Sequence, residues 1–221
     1  MTQFHKLSSK KLAYQVVMPR LDTEKYFEEP EYKALIRYLA SNSIIGFCVF
    51  GGNAEQVEIM TNELQNLSEV PLIFSADFEF GLPMRLIDDG TSFPHNMAIA
   101  QTGKSNYAYK IGESIAKEAK AIGINWNFAP VADINSNRNN PIINIRSFGE
   151  NSDVVSENVL EFIKGANSQK VASCVKHFPG HGDTETDSHI SMPILNKSIE
   201  ELEKLELIPF KKAIENAVKS I

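Results

Sequence analysis

Short apolar runs alternate with amphipathic helical patterns along the whole chain, and this alternation limits the folds that the sequence can adopt. The apolar runs cover residues 12–18, 44–50, 71–76, 124–128 and 171–175. The helical patterns cover residues 30–39, 57–67, 107–122, 152–169 and 198–218. Runs that can be buried on both faces suit a parallel sheet covered by crossover helices. We therefore predict an α/β fold of about five βα units.

A closed (β/α)8 barrel and an open doubly wound sheet both fit this alternation. No Gly-x-Gly-x-x-Gly turn follows an early apolar run, so the dinucleotide-binding form of the open sheet lacks its fingerprint. Polar residues follow at least three of the predicted strands, at Asp77, after Pro130 and at Lys176. A barrel brings the carboxyl ends of its strands to one face, where its chemistry takes place. We therefore favour a (β/α)8 TIM-barrel-type fold that is incomplete in this chain.

Three local patterns give more detailed expectations. We predict an extended loop for residues 88–103. Ser198 and Glu201 have the spacing of a capping box, which would start the last helix. Pro209 lies inside that helical pattern and predicts a kink.

Composition excludes several classes of function. The chain has 221 residues, of which 43% are hydrophobic and 23% charged, and we expect residues 1–221 to form one domain. The formal net charge of -6, without a basic stripe, argues against nucleic acid as a partner. Cys48 and Cys174 lie in apolar runs, where we expect free thiols. The sequence has no signal-peptide pattern and no apolar stretch of membrane-spanning length, so we expect a cytoplasmic protein without a membrane partner.

Residues 176–189 concentrate titratable side chains after the last apolar run and read Lys-His-Phe-Pro-Gly-His-Gly-Asp-Thr-Glu-Thr-Asp-Ser-His. A proline and two glycines exclude a continuous helix, which leaves a shaped loop. Lys176 and His177 could bind the hydroxyls of a ligand, or they could be a surface lysine and a hydrogen-bonded loop histidine. Asp187 lies two residues before His189, and such a carboxylate can orient an imidazole that transfers protons near neutral pH.

This segment resembles the Lys-His-Phe-Pro-Gly-His-Gly…Asp-Ser-His signature of family 3 glycoside hydrolases, in the branch of bacterial β-N-acetylhexosaminidases. The resemblance implies that His189 is the general acid/base and that Asp187 is its partner. The glucosidase branch lacks this pair, so the resemblance favours removal of terminal β-linked N-acetylhexosamine. It also implies a carbohydrate substrate, either a β-N-acetylglucosaminide or a muropeptide of peptidoglycan recycling.

Two further blocks extend the resemblance. Asp77-Phe-Glu-Phe-Gly, with Arg85 eight residues after the aspartate, is similar to the family's Asp-Gln-Glu-Gly-Gly and following Arg, which hold sugar hydroxyls. Without the family, this pair would be a turn residue and its surface partner. Asn127-Phe-Ala-Pro-Val-Ala-Asp133 and Arg146-Ser-Phe-Gly match other family blocks and imply that Arg146 contacts the substrate. A buried Arg146 that ties Asp133 to loop carbonyls is the alternative, and we expect Asp133 to be structural.

We thus expect five residues to bind substrate. The resemblance implies this for Asp77, Arg85 and Arg146, and their position at a strand end indicates it for Lys176 and His177. A zinc site built from the histidines and acids of residues 176–189 has to be weighed against it, since such side chains bind zinc. Their spacing matches no tetrahedral zinc pattern. We therefore expect neither a metal nor a cofactor.

The family's nucleophile is an Asp in a Ser-Asp-Asp-like motif on a later strand, and no such motif follows His189 here. A retaining hydrolase needs that carboxylate. A barrel sheet of five strands would also leave its parallel edges unpaired. We therefore expect a chain that is C-terminally truncated relative to the family, as part of a longer protein, or one that completes itself by self-association. The alternative function is a non-catalytic sugar-binding or scaffold module derived from the same fold.

Overall fold

Strands and helices alternate in the computed structural model, which describes residues 8–87, 89–184 and 197–221. The strands are β1 (Arg20–Asp22), β2 (Gly46–Phe50), β3 (Ile73–Ala76), β4 (Trp126–Asn127) and β5 (Ala172–Ser173). The α-helices are α1 (Ser9–Tyr14), α2 (Thr23–Glu28), α3 (Pro30–Ser41), α4 (Ala54–Leu67), α5 (Asn96–Gln101), α6 (Asn106–Ala121), α7 (Ser152–Ser168), α8 (Ile199–Lys204) and α9 (Ile208–Glu215). Short 3-10 turns cover Leu82–Met84 and Asn144–Arg146.

The five strands form one parallel sheet in the order β1-β2-β3-β4-β5. Each strand therefore pairs with the next one along the chain, whereas a doubly wound sheet reverses its order at a switch point. Consecutive helices pack against each other along the sheet, as α6 does on α7 and α3 on α4. This is the order of an open (β/α)8-type barrel, so the predicted fold class is confirmed.

The hydrophobic core lies between the sheet and the helices. In β2, the buried Phe47 and Val49 alternate with the half-buried Cys48 and Phe50. Because successive side chains of a strand point to opposite faces, Phe47 and Val49 face the helices, and Cys48 and Phe50 lie on the other face of the sheet. The helices contribute Ile36, Val57, Met60, Leu64, Ile115, Val159 and Phe162 to the core.

The first predicted strand is wrong. Part of the apolar run 12–18 belongs to α1, whose first turn is capped by the Ser8 hydroxyl accepting a hydrogen bond from the Lys11 backbone N–H. Val16 is 83% exposed, so it does not lie in a buried strand. Strand pairing starts instead at the Pro19 carbonyl, which accepts a hydrogen bond from the Cys48 backbone N–H.

Two other local predictions need correction. The predicted loop 88–103 contains α5, which is fixed by the Asn96 side chain donating to the Arg146 carbonyl at 2.7 Å and by the buried Ile99. The last helical pattern forms two helices rather than one kinked helix. Pro209 lies in the first turn of α9, where backbone N–H groups have no partner within the helix, so the missing N–H of proline costs no hydrogen bond. The capping box that starts α8 is confirmed.

Residues near the C-terminus lie along the outer edge of β5. Ser220 forms a parallel bridge with Cys174, and its carbonyl accepts a hydrogen bond from the Val175 backbone N–H. Self-association through the edges of the sheet stays a prediction. Among the residues described, no helix combines the length and apolar character needed to cross a bilayer.

Candidate active site

The carboxyl ends of β3, β4 and β5 bring a group of charged side chains together. Asp77 follows β3 directly, and Lys176 lies beyond the end of β5. The Lys176 ammonium nitrogen is 2.8 Å from Asp77 Oδ1, although the two residues are 99 positions apart. We call the group the strand-end cluster; its members are Asp77, Glu79, Arg85, Asp133, Arg146, Lys176 and His177. All five substrate-binding residues expected from the sequence belong to it.

Asp77 is held between two cations. Arg85 donates to Asp77 Oδ2 at 2.6 Å, and Lys176 donates to the other carboxylate oxygen. Burial alone would raise the pKa of the Asp77 carboxyl, but the two cations outweigh it and hold the pKa below its usual value. The Arg85 guanidinium also lies over the Phe50 ring, with its central carbon 5.1 Å from the ring centroid, at a distance where an aromatic ring attracts a cation.

Glu79 is a member of the cluster that sequence reasoning missed. Its side chain is 4% exposed and receives two hydrogen bonds from Arg146, at 2.9 and 2.7 Å, and one salt bridge from Lys176 at 2.7 Å. Burial opposes ionisation of Glu79, but these cations lower its pKa to about 2. The signal was available, since Glu79 matches the Glu of the family's Asp-Gln-Glu-Gly-Gly block.

Asp133 fixes the backbone of the loop that follows β5. It is fully buried and accepts hydrogen bonds from the His177 backbone N–H at 3.2 Å and from the His181 backbone N–H at 2.6 Å. This agrees with the structural role expected for Asp133. The alternative for Arg146, a tie from Asp133 to loop carbonyls, is found in part. Arg146 donates to the Ile142 carbonyl at 3.2 Å, but its salt bridge is formed with Glu79.

His177 connects the two halves of the cluster. Its Nδ1 is 2.6 Å from Asp133 Oδ2, and its Nε2 is 3.3 Å from an Arg146 guanidinium nitrogen. The side chain is 33% exposed, so it can reach a ligand. The cluster therefore forms a continuous chain of charged and polar groups from Arg85 to Asp133.

Close backbone packing holds residues 180–184 against the loop after β4. A Cβ on Gly182 would lie 1.6 Å from the Ile134 carbonyl oxygen, so only glycine fits this approach. The Asn140 side chain donates to the His181 carbonyl at 2.7 Å. The His181 ring also forms a hydrogen bond with the Thr184 hydroxyl.

A second ion cluster consists of Asp183, Lys197 and Glu206. Lys197 Nζ is 2.7 Å from Asp183 Oδ2 and 2.5 Å from Glu206 Oε1. Glu206 is buried, and Gly180 packs directly against its side chain. Burial alone would lower the pKa of Lys197, but its two carboxylate partners outweigh it and raise the pKa above its usual value.

The predicted acid/base pair, Asp187 and His189, lies outside the described residues. Two carboxyl groups of the cluster, those of Asp77 and Glu79, are not proton donors near neutral pH, because their lowered pKa values keep them ionised. Within the described ranges, no three His, Cys, Asp or Glu side chains are grouped as a metal site would require. The cluster can therefore donate and accept hydrogen bonds around a ligand, and neither of these two carboxyls supplies a proton to it.

Comparison with known proteins places the chain in a family. A sequence model described as "Glycosyl hydrolase family 3 N terminal domain" matches residues 14–221. The chain belongs to this family. The family resemblance stated from the sequence is thereby confirmed.

Relatives of this family 3 chain include named hexosaminidases. It is 39% identical over 194 residues to beta-hexosaminidase A of Pseudoalteromonas piscicida, across 84% of this chain and 32% of that protein. Among solved structures, a family 3 beta-N-acetylglucosaminidase from Paenibacillus sp. is 37% identical with a TM-score of 0.86, covering 96% of this chain and 41% of that one. NagZ from Neisseria gonorrhoeae is 30% identical with a TM-score of 0.80, covering 92% and 61%. The family 3 chain thus spans less than two thirds of each of these proteins.

Proposed function

We propose that this chain carries the sugar-binding residues and the proton-transfer pair of a retaining β-N-acetylhexosaminidase. One observation carries the proposal: the strand-end cluster gathers Asp77, Arg85, Arg146, Lys176 and His177 at one end of the sheet. The names of the family 3 relatives support the choice of sugar. Residues 1–221 act in this proposal as one barrel domain that is shorter than its relatives.

The charge of the cluster suits a neutral ligand. Each carboxylate of the cluster faces a cation or an N–H donor, so the site has no large net charge. A pyranose presents hydroxyls that both donate and accept hydrogen bonds. Lys176, Arg85 and Arg146 can donate to such hydroxyls, and Asp77 can accept from them. We assign these residues and His177 to the hydroxyls of a terminal N-acetylglucosamine.

We assign proton transfer to His189 and Asp187. Asp77 and Glu79 are poor candidates for the acid because their pKa values are lowered. The retaining mechanism also needs a carboxylate nucleophile on the opposite side of the sugar ring. We place that nucleophile outside this chain. A cytoplasmic location and a role in peptidoglycan recycling stay predictions.

The rate of p-nitrophenol release from p-nitrophenyl β-N-acetylglucosaminide tests the proposal. We expect slow or absent turnover by the 221-residue chain, and any residual rate should fall in His189→Ala while the affinity for N-acetylglucosamine stays unchanged. Turnover at an ordinary enzyme rate of about 1–1000 per second would contradict the placement of the nucleophile outside the chain.

Where the chain shows a residual rate, the same variant separates the enzyme from a non-catalytic sugar-binding module. Both retain affinity for the sugar after His189→Ala, but only the enzyme has turnover to lose. If a residual rate is detectable and the variant keeps all of it, the acid/base assignment is wrong.

A further inference from the structure

We propose that Asp133 is a positioning residue, which holds His177 as the Nδ1–H tautomer and presents His177 Nε2 to the ligand as a hydrogen-bond acceptor. The proposal rests on the proposed sugar site and names the kind of contact made there. The ligand group is a sugar hydroxyl that donates to Nε2 while it accepts from Arg146.

The first observation concerns the Nδ1 side of the ring. Nδ1 of His177 is 2.6 Å from Asp133 Oδ2, and Asp133 is fully buried. The same carboxylate already accepts from the backbone N–H groups of His177 and His181. An ionised carboxylate only accepts hydrogen bonds, so the ring nitrogen that faces it must carry a proton.

The second observation concerns the Nε2 side and is independent of the first. Nε2 of His177 is 3.3 Å from an Arg146 guanidinium nitrogen. Arginine only donates hydrogen bonds, so Nε2 has to be the acceptor. A proton on Nε2 would place two donors against each other. Both neighbours of the ring therefore favour the same tautomer, with the proton on Nδ1.

The third observation concerns the space between Arg146 and His177, where a ligand hydroxyl would bind. Arg146 keeps its two hydrogen bonds to Glu79 whether or not it also contacts His177, so its guanidinium stays in place. The side chains of Arg146 and His177 are 23% and 33% exposed, which leaves their meeting point open to a ligand. A hydroxyl placed between them accepts from Arg146 and donates to Nε2. A methoxy group at the same position can accept but cannot donate.

The tautomer can be measured directly by 15N NMR on histidine-labelled protein. The chain has five histidines, and the signals of His177 are identified by their loss in His177→Ala. We expect the wild-type spectrum to show a protonated Nδ1 and an unprotonated Nε2. The contact of the ring with Asp133, at 2.6 Å, is shorter than its contact with Arg146, at 3.3 Å, so we expect the Asp133 side to decide the tautomer. In Asp133→Asn the side-chain amide can donate to Nδ1, and we therefore expect the proton to move to Nε2. A wild-type ring protonated on Nε2 overturns the proposal.

Ligand affinity then separates positioning from a purely structural role. We expect Asp133→Asn to weaken binding of N-acetylglucosamine by about fivefold or more, as the loss of one hydrogen bond does. In the His177→Ala background the same substitution should have little further effect, because Asp133 then has no ring to orient. Equal losses in both backgrounds mean that Asp133 acts only through the fold, and they overturn the proposal. Asp153→Asn, at an exposed acid of α7, is the matched control.

Failure of the proposed function gives a different result. If the wild-type chain does not bind N-acetylglucosamine, the sugar site is wrong, but the NMR spectrum still decides the tautomer. If the chain binds the sugar and His177 is protonated on Nε2, only the positioning role of Asp133 is wrong.

Discussion

Replacement of Glu79 by glutamine changes one atom of the most buried ion pair in the strand-end cluster. The variant removes a negative charge that faces Arg146 and Lys176, and it places an amide N–H₂ group against their donors. The folded protein lowers the pKa of Glu79 from 4.5 to about 2. Since a tenfold change in acid strength corresponds to about 1.4 kcal/mol, the ionised form of Glu79 stabilises the fold by about 3 kcal/mol.

The sign of the pH dependence follows from the direction of this change. Because the folded pKa lies below the ordinary value of 4.5, the stabilisation is fully present above about pH 4.5 and is lost as the pH falls toward 2. We therefore expect Glu79→Gln to be less stable than the wild type by about 3 kcal/mol at pH 7. The difference should shrink steadily below pH 4.5.

Urea unfolding at pH 7, 4 and 3 measures both parts of this prediction. Glu63→Gln is a suitable control, because Glu63 also faces two cations, Lys33 and Arg37, but its side chain is 26% exposed against 4% for Glu79. We expect the control to lose only about 0–1 kcal/mol at pH 7. A loss in Glu79→Gln no larger than that of the control, or a loss independent of pH, would refute the reasoning.

Two further substitutions test the supports of the loop after β5. Gly182→Ala places a methyl group 1.6 Å from a backbone carbonyl oxygen and should lower the free energy of unfolding in urea by about 3 kcal/mol. Gly103→Ala is the control: it has open space around it and should lower the free energy of unfolding by about 1 kcal/mol because of its positive φ. Lys197→Met removes the lysine that pairs with the buried Glu206 and should lower the free energy of unfolding by about 3 kcal/mol. The added Glu206→Gln substitution should largely restore this stability. Lys211→Met, at an exposed pair, should change it by less than about 1 kcal/mol, and equal losses in the two lysine variants would contradict the buried-pair argument.

The meeting of Asp77 and Lys176 was predictable from the sequence. Each follows an apolar run, and the carboxyl ends of parallel strands lie at one face of a barrel. The lengths of the longer helices follow from the same alternation. The order of the sheet does not, because the alternation fits a doubly wound sheet as well, and only the polar residues that follow the strands favoured the barrel. The parallel topology alone therefore places Asp77 and Lys176 close together, whatever the packing of the core.

Glu79 shows where such reasoning stops. It lies beyond the end of β3, where the chain has left the regular strand and the period of two no longer tells which way a side chain points. Its partner Arg146 comes from a 3-10 turn whose position depends on tertiary contacts such as the hydrogen bond from Asn96. The contact between them therefore required the folded backbone.

Short elements were mispredicted for a similar reason. The six residues of α5 are too few to show a periodic pattern, and Ile99 holds the helix through the core. The apolar run 12–18 had the composition of a strand, but Ser8 caps a helix there. Tertiary contacts and capping decided both cases.

Calorimetric titration of N-acetylglucosamine into the wild-type chain and into Asp77→Asn tests the central claim most directly. Asp77 is the carboxylate that Arg85 and Lys176 hold at the end of β3, and a hydrogen bond to a charged group contributes about 1.5–3 kcal/mol. The account predicts that the wild type binds the sugar and that Asp77→Asn weakens binding by about tenfold or more, with Asp153→Asn unchanged. Equal affinity of the wild type and Asp77→Asn, or no binding by the wild type, would contradict it.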